Sequence, residues 1–174
     1  MTTFIIFLSY LFLVVVYLAV TIFYLYGIYA MIKGAPFVPT NKKRVERVIE
    51  LAKLKTGDKL IDLGSGDGRI VFAAAKEGAN AIGIEINPVL FYYSLWKTKL
   101  RKIKNVEFVR KNMWTIDLSD VDVLTLYCIS DKMEKLKKKI KAEMRPGSKV
   151  ISCAFTFPDW QYSKKCGKIY LYEV

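Results

Sequence analysis

Residues 59–70 read Lys-Leu-Ile-Asp-Leu-Gly-Ser-Gly-Asp-Gly-Arg-Ile, and no other stretch of the chain limits its possible folds so tightly. An apolar run ends in Asp62, glycines follow at alternate positions 64, 66 and 68, and Ile70 to Ala75 continue with apolar, helix-compatible residues. This order predicts a strand, a glycine turn and a helix. Without Cβ atoms the turn can take up dihedrals closed to other residues, and a ligand can lie directly on its backbone. The dinucleotide fingerprint G-x-G-x-x-G fails at Arg69, which stands where its third glycine belongs. The spacing is instead D-x-G-x-G-x-G, with Asp62 and Asp67 both in the turn. A pyrophosphate docking on the following helix would meet like charge there.

A ligand without phosphates fits better. S-adenosylmethionine (SAM) sets a sulfonium and an ammonium against one carboxylate, so acidic side chains at this turn attract it. Asn80 to Glu85 reads as a second strand that ends in an acidic residue about 20 positions further on, where a ribose diol needs an acceptor. From about Thr56 to Val174 the chain resembles the class I, seven-strand SAM-dependent methyltransferases. That resemblance implies a Rossmann-like α/β sheet with SAM across the carboxyl ends of the first and fourth strands. It implies cofactor contacts from Asp62, Gly64, Ser65, Gly66, Gly68 and Arg69 in the turn, and from Glu85, Ile86 and Asn87 after the second strand.

Elements alternate as an α/β sheet requires. Strands are expected at the glycine turn, at Asn80 to Glu85, Val106 to Val109, Val121 to Tyr127, Lys149 to Phe155 and Lys168 to Tyr172. Helices are expected from Gly68 to Lys76, from Asn87-Pro88 to about Lys102, and from Asp131 to Met144. The segment between the last two strands is too short for a crossover helix, so those strands should pair antiparallel. The sheet therefore counts about six strands, with an N-terminal transmembrane helix ahead of it.

That helix follows from composition. Residues 1–32 carry no charge, and Phe4 to Tyr29 is almost wholly apolar or aromatic, which concentrates the 53% hydrophobic content of the 174 residues at one end. At about 1.5 Å per residue, such a helix exceeds a hydrocarbon core of about 30 Å. It has neither the basic start nor the small-residue cleavage site of a secretory signal. Basic residues follow it (Lys33, Lys42, Lys43, Arg44, Arg47) and none precedes it, so the positive-inside rule puts the rest of the chain in the cytoplasm and the N-terminus outside. Residues 33–55 form a connector with Pro36 and Pro39 and then a helix capped at Thr40 or Asn41, its stripe being Val45, Val48, Ile49 and Ala52. Residues 56–174 form the methyltransferase domain. A net charge of +12 and Lys-rich runs at 97–104 and 132–141 suit RNA phosphates or an anionic membrane surface. A tether to the bilayer favours the membrane surface and leaves nucleic acid the lesser partner. No histidine is present, and the three cysteines have no ligand spacing, which excludes imidazole catalysis and most metal sites.

Six strings in order, the apolar N-terminus, Pro36 to Thr40, Ile61 to Ile70, Glu85 to Pro88, Asn112 to Trp114 and Cys153 to Trp160, resemble the ATP synthase c-subunit lysine N-methyltransferase family and its prokaryotic relatives. The resemblance implies a membrane-anchored, SAM-dependent protein-lysine N-methyltransferase acting on a membrane protein near the cytoplasmic face. It places adenine beside Asn112, where relatives carry Asp, and packs Met113 on the ring. A lysine channel would be walled by Trp114, Phe155, Phe157, Pro158 and Trp160 and closed by Phe37 and Pro39. No catalytic base is named. A channel that lowers the amine's pKa removes the need for one. Two other readings stay open: methyl transfer to RNA or to a small or lipid substrate, and SAM binding without turnover.

Overall fold

The computed structural model describes residues 2–33, 39–128 and 130–174. Its first helix, α1, runs Thr2–Lys33. The stretch Thr2–Tyr29 is long and apolar enough to cross a membrane, and none of it is buried by the rest of the chain. Helix α2 (Lys42–Ala52) starts at Asn41, whose side chain accepts from the Arg44 N–H at 2.9 Å, and ends at Lys53 in the left-handed region. Its residues Val45, Val48 and Ala52 are buried in the same core as the sheet, and Ile49 packs beside them. Burying one such aliphatic side chain contributes about 1.5–3 kcal/mol, enough to seat a helix this short.

The rest alternates: β1 (Lys59–Leu63), α3 (Arg69–Lys76), β2 (Asn80–Ile84), α4 (Pro88–Arg101), β3 (Val106–Val109), β4 (Val123–Leu126), α5 (Ser130–Glu143), β5 (Lys149–Cys153), β6 (Lys164–Cys166) and β7 (Ile169–Glu173). Among the described residues these strands form one sheet of order β3-β2-β1-β4-β5-β7-β6. The first five run parallel, and β7 lies antiparallel to β5 with Ile151 opposite Leu171. This is the class I methyltransferase arrangement, and it has seven strands where about six were expected. The added strand is β6, which among the described residues pairs only with β7 at the sheet edge. Its three residues, Lys164-Lys165-Cys166, are too short and too polar to show an alternating pattern, and lysines on a short edge strand are a common guard against edge-to-edge pairing. The pairing of the last two long strands is antiparallel as expected, with β6 inside their connection.

Two apolar layers cover the sheet. One joins α2, α3 and the inner side of α4 through Val48, Val71, Phe72 and Ala74. The other joins α5 to the opposite face through Met133, Leu136 and Ile140. The strand order reverses between β1 and β4, so the carboxyl ends of these strands open the crevice where ligands bind in such folds.

Candidate active site

The turn after β1 sits at that crevice. Gly64, Gly66 and Gly68 all adopt positive φ, at 80°, 58° and 77°, which a side chain would resist. Two of them differ in what surrounds them. A Cβ on Gly64 would meet nothing within 4 Å, so backbone here faces free space in which a ligand can lie. A Cβ on Gly68 would come within 2.5 Å of the Phe108 ring, so that glycine admits close helix-to-sheet packing. The Gly64 and Ser65 N–H groups both donate to the Ile84 carbonyl, tying the turn to the end of β2.

Glu85 completes this tie. It is buried, and its two carboxylate oxygens accept from the backbone N–H groups of Gly66 and Asn87, each at 2.8 Å. Burial pushes its pKa up, and those N–H groups offset part of the rise. Asn87 in turn caps α4, accepting from Val89 N–H at 2.9 Å, with Pro88 in the first turn. One carboxylate thus holds the glycine turn and the α4 entry in fixed relation, with lone pairs remaining for a ligand.

Asp62 lies on β1, one residue from its carboxyl end. It is buried, it has no cationic partner among the described residues, and its Oδ1 accepts from Thr125 Oγ1 at 2.7 Å. Burial drives its pKa up to about 7; the Thr125 hydrogen bond works against that rise, while the charges of Glu85 and Asp67 add to it. Asp67, only five residues on, is held below the usual range: burial opposes its charge, but two hydrogen bonds from Arg69, at 2.8 and 2.7 Å, prevail. Arg69 also donates through Nη1 to the Thr40 carbonyl. Arg69 was expected to touch the cofactor. Its guanidinium donates to Asp67 and to the carbonyl of Thr40, the residue before the α2 cap, so it braces the turn and joins it to the pre-domain segment.

The other expected contacts gather at the ends of β2 and β3. Ile86, Arg110, Lys111 and Asn112 share a cleft of about 520 Å³ with Leu25, Tyr26 and Tyr29 from the last turns of α1. Asn112 caps the short 3-10 turn Met113–Thr115, its Oδ1 accepting from Trp114 N–H at 3.2 Å. The amide oxygen expected to receive an adenine amino group therefore already holds one bond. Met113 is buried in the α5-side core.

Of the residues expected to wall a channel, Trp114 and Trp160 are partly buried, Pro39 and Pro158 are exposed, and Phe37 lies outside the described residues. Phe157 is buried, its ring 5.0 Å from Tyr172 and 5.1 Å from Trp160, and its N–H donates to the Tyr172 hydroxyl at 3.1 Å. Its ring packs in the α5-side core together with Trp160 and Tyr172. Both tryptophans have an ammonium over the ring, Lys135 on Trp114 at 4.6 Å and Lys141 on Trp160 at 4.0 Å, so these surfaces already accept cations. Near them Phe155 meets Tyr127 edge to face at 6.4 Å.

Three supporting residues escaped the sequence reading. Thr125 is paired in register with Asp62 across β1 and β4. Ser94, fully buried in α4, donates to the Gly66 carbonyl at 3.2 Å. Lys97 donates to the Asp67 carbonyl at 3.0 Å. A lone hydroxyl in an apolar strand and another on the inner side of a helix were the available signals.

Chemically, the described residues offer two buried carboxylates without a cation between them, an open glycine backbone, and a buried Ser65 hydroxyl with no partner among them. Such a set fits a cationic, phosphate-free adenosine donor and would repel a pyrophosphate.

The chain is similar to known methyltransferases. The ANTKMT methyltransferase domain matches residues 62–164. The chain is 38% identical to the mouse lysine N-methyltransferase of the ATP synthase c-subunit, over 72% of its own length and 51% of that protein, so it spans about half of such vertebrate relatives. It is 35% identical to a protein-lysine N-methyltransferase of Saccharolobus islandicus, over 72% of this chain and 80% of that one. The crystal structure of an RNA methyltransferase from Salinibacter ruber in complex with S-adenosyl-L-homocysteine superposes with a TM-score of 0.72 at 36% identity, covering 78% of this chain and 92% of that one. The chain belongs to the ANTKMT methyltransferase domain family.

Proposed function

We propose that this chain is a membrane-anchored, SAM-dependent protein-lysine N-methyltransferase whose target lysine lies on a membrane protein near the cytoplasmic face. The observation that carries the cofactor is the pair of buried carboxylates, Asp62 and Glu85, around a glycine turn with no basic side chain between them among the described residues. The 35% identity across 80% of the Saccharolobus islandicus lysine methyltransferase supports the substrate class. The apolar helix Thr2–Tyr29 and the basic residues that follow it support the anchor and its orientation.

Bound SAM supplies an electrophilic methyl group on a sulfonium. The chain's own residues do the rest. Asp62 accepts from the methionyl ammonium, Glu85 takes the ribose hydroxyls on its remaining lone pairs, and Asn112 receives the adenine amino group beside its bond to Trp114. Trp114, Phe155 and Trp160, with Pro158 and Pro39 at the rim, line the approach of the lysine stem. Aromatic faces flank the aliphatic stem, while exclusion of water and the nearby Lys135 and Lys141 ammonium groups lower the amine's pKa so that it arrives deprotonated. Alignment and desolvation then supply the acceleration, with no dedicated base.

A second reading, methyl transfer to RNA, is favoured by the Salinibacter ruber structure and the surplus of basic residues. One experiment separates the two. Membranes and total RNA from a strain lacking the gene are incubated with the full chain and methyl-labelled SAM, and labelled species are identified by mass spectrometry. Methyl-lysine in a membrane protein is the expected product. Label confined to RNA, to lipid or to no macromolecule defeats the lysine assignment.

A further inference from the structure

We infer that α4 is a second membrane contact: its outer face lies in the headgroup layer of an anionic bilayer and holds the crevice at fixed height beside α1. This rests on the reading of α1 as a membrane span and adds a surface to it.

The outward residues of α4 are unusual for a helix of a folded domain. Val89, Tyr92, Tyr93, Trp96 and Leu100 are 40 to 66% exposed. At about 100° per residue they fall within an arc of about 100° on one side of the helix. Tyr93 and Trp96 stack at 5.9 Å, so the stripe is continuous. Exposed single hydrophobic residues need no explanation, but a contiguous aromatic stripe marks an interaction surface. Its borders are basic. Lys99 flanks one side and Lys97 and Arg101 the other, and Lys102 and Lys104 follow at the helix end. No acidic residue occurs on α4. Tyrosine and tryptophan between lysines is the composition of a helix lying in a lipid headgroup layer.

Position gives the second argument. α1 touches α4 directly, and its last turns share a cleft with Ile86, just ahead of α4. The 32 residues of α1 reach about 48 Å, against a hydrocarbon core of about 30 Å. The excess of about 18 Å leaves Leu25, Tyr26 and Tyr29 at headgroup depth on the basic side. Any helix packed against that end lies at the same depth. The opposite face of the sheet, carrying α5, points elsewhere: α5 is basic but its apolar residues Met133, Leu136 and Ile140 are buried in the core.

The test uses the full chain reconstituted in vesicles of neutral lipid and of neutral lipid with one-third anionic lipid, about the composition that gives a strongly negative surface. Cys128 and Cys153 are buried, so Cys166→Ser leaves no reactive thiol among the three cysteines, and a nitroxide is placed at Tyr92→Cys or, as control on the far face, at Lys138→Cys. Accessibility to oxygen relative to a water-soluble nickel complex reads depth. The expected result is a ratio several-fold higher at 92 than at 138, rising with anionic lipid, and returning to the control value when Trp96→Glu is added while SAM binding is kept. Equal ratios at both positions in both lipids overturn the inference, as does shielding of position 92 from both reagents, which means protein, a second copy or a partner, covers the face. If the chain fails to float with vesicles at all, the anchoring reading falls together with this one. If it floats with position 92 in water, only the α4 contact falls.

Discussion

Asp62 and Asp67 stand five residues apart in one turn and end in opposite states. Asp67 is saturated by cations: Arg69 grips it twice, and the charge of Lys97 is near. Asp62 is given a hydroxyl and, among the described residues, no cation, and it sits at a pKa of about 7, where an acid of its kind ordinarily titrates near 3.8. The difference teaches how a cation-binding site is kept ready. A carboxylate that is satisfied inside the protein serves structure, whereas one left under-compensated in a dry crevice stabilises whatever positive group arrives, because the desolvation cost has already been met on folding.

The sharpest way to break this comparison is to neutralise each acid in turn. Asp62→Asn removes the charge proposed to face the ammonium, and a charge-assisted hydrogen bond contributes about 1.5–3 kcal/mol, so calorimetry should show SAM affinity lowered by about 10- to 150-fold. Asp67→Asn should cost only a few-fold, through a loosened turn. Comparable losses in both variants would mean that the two acids share one role.

A pH series probes the same asymmetry without mutation. Because the folded protein binds a proton at Asp62 more tightly than the unfolded chain does, the contribution of Asp62 to stability falls as pH rises from about 4 to about 7 and is lowest above that window. Ligand binding has the reverse sign: it needs the ionised form, so SAM affinity should fall by up to about tenfold for each unit below pH 7. Asp62→Asn should remove its share of both curves, leaving the part that comes from Glu85, and raise the thermal midpoint at pH 8. A binding curve that is flat between pH 6 and 8 in the native protein would show that Asp62 is already charged without ligand.

These states could be read only in part from sequence. The strand, the glycine turn and the acidic end of β2 are local signals, since period and glycine placement report backbone demands directly. Seven strands were less legible, because β6 is three polar residues that become a strand only by lying along β7. Both acids in the turn were visible, but their division was not. It depends on Thr125, brought opposite Asp62 by strand register over 63 positions, and on Arg69 turning towards Asp67 and Thr40. Phe157 was read as channel wall from its place in an aromatic run; burial against Tyr172 is a property of the β7 partner and not of that run.

Arg69 is where brace and site meet, and its removal should have a moderate effect. Arg69→Ala frees the Thr40 carbonyl and leaves Asp67 to Lys97 alone. After solvent screening the ion pair is worth about 1 kcal/mol, so chemical denaturation should register a loss near that size and SAM affinity a drop of about threefold. Arg69→Lys should restore little, since an ammonium cannot reproduce the forked grip on both Asp67 oxygens. A loss in binding as large as that of Asp62→Asn would make Arg69 a ligand contact and dissolve the division of labour.

The smallest effect belongs to position 112, where a third carboxylate can be introduced. Asn112 spends its amide oxygen on the Trp114 N–H, leaving one lone pair for an adenine amino group. Asn112→Asp keeps the cap, since Asp is as good an N-cap as Asn, and adds a second oxygen free to accept. The crevice opposes part of this gain through repulsion from Glu85 and Asp62, while Arg110 and Lys111 in the same cleft soften it. The net expectation is SAM bound about twofold to threefold more tightly, within the few tenths of a kcal/mol to about 1 kcal/mol that one neutral-to-charged exchange of acceptor contributes. The methyl-transfer rate constant at saturating SAM should be unchanged, because adenine is far from the reacting carbon. Weaker binding in Asn112→Asp would mean that the crevice already holds as much negative charge as a cationic donor can use, and it would move the adenine to a different edge of the cleft.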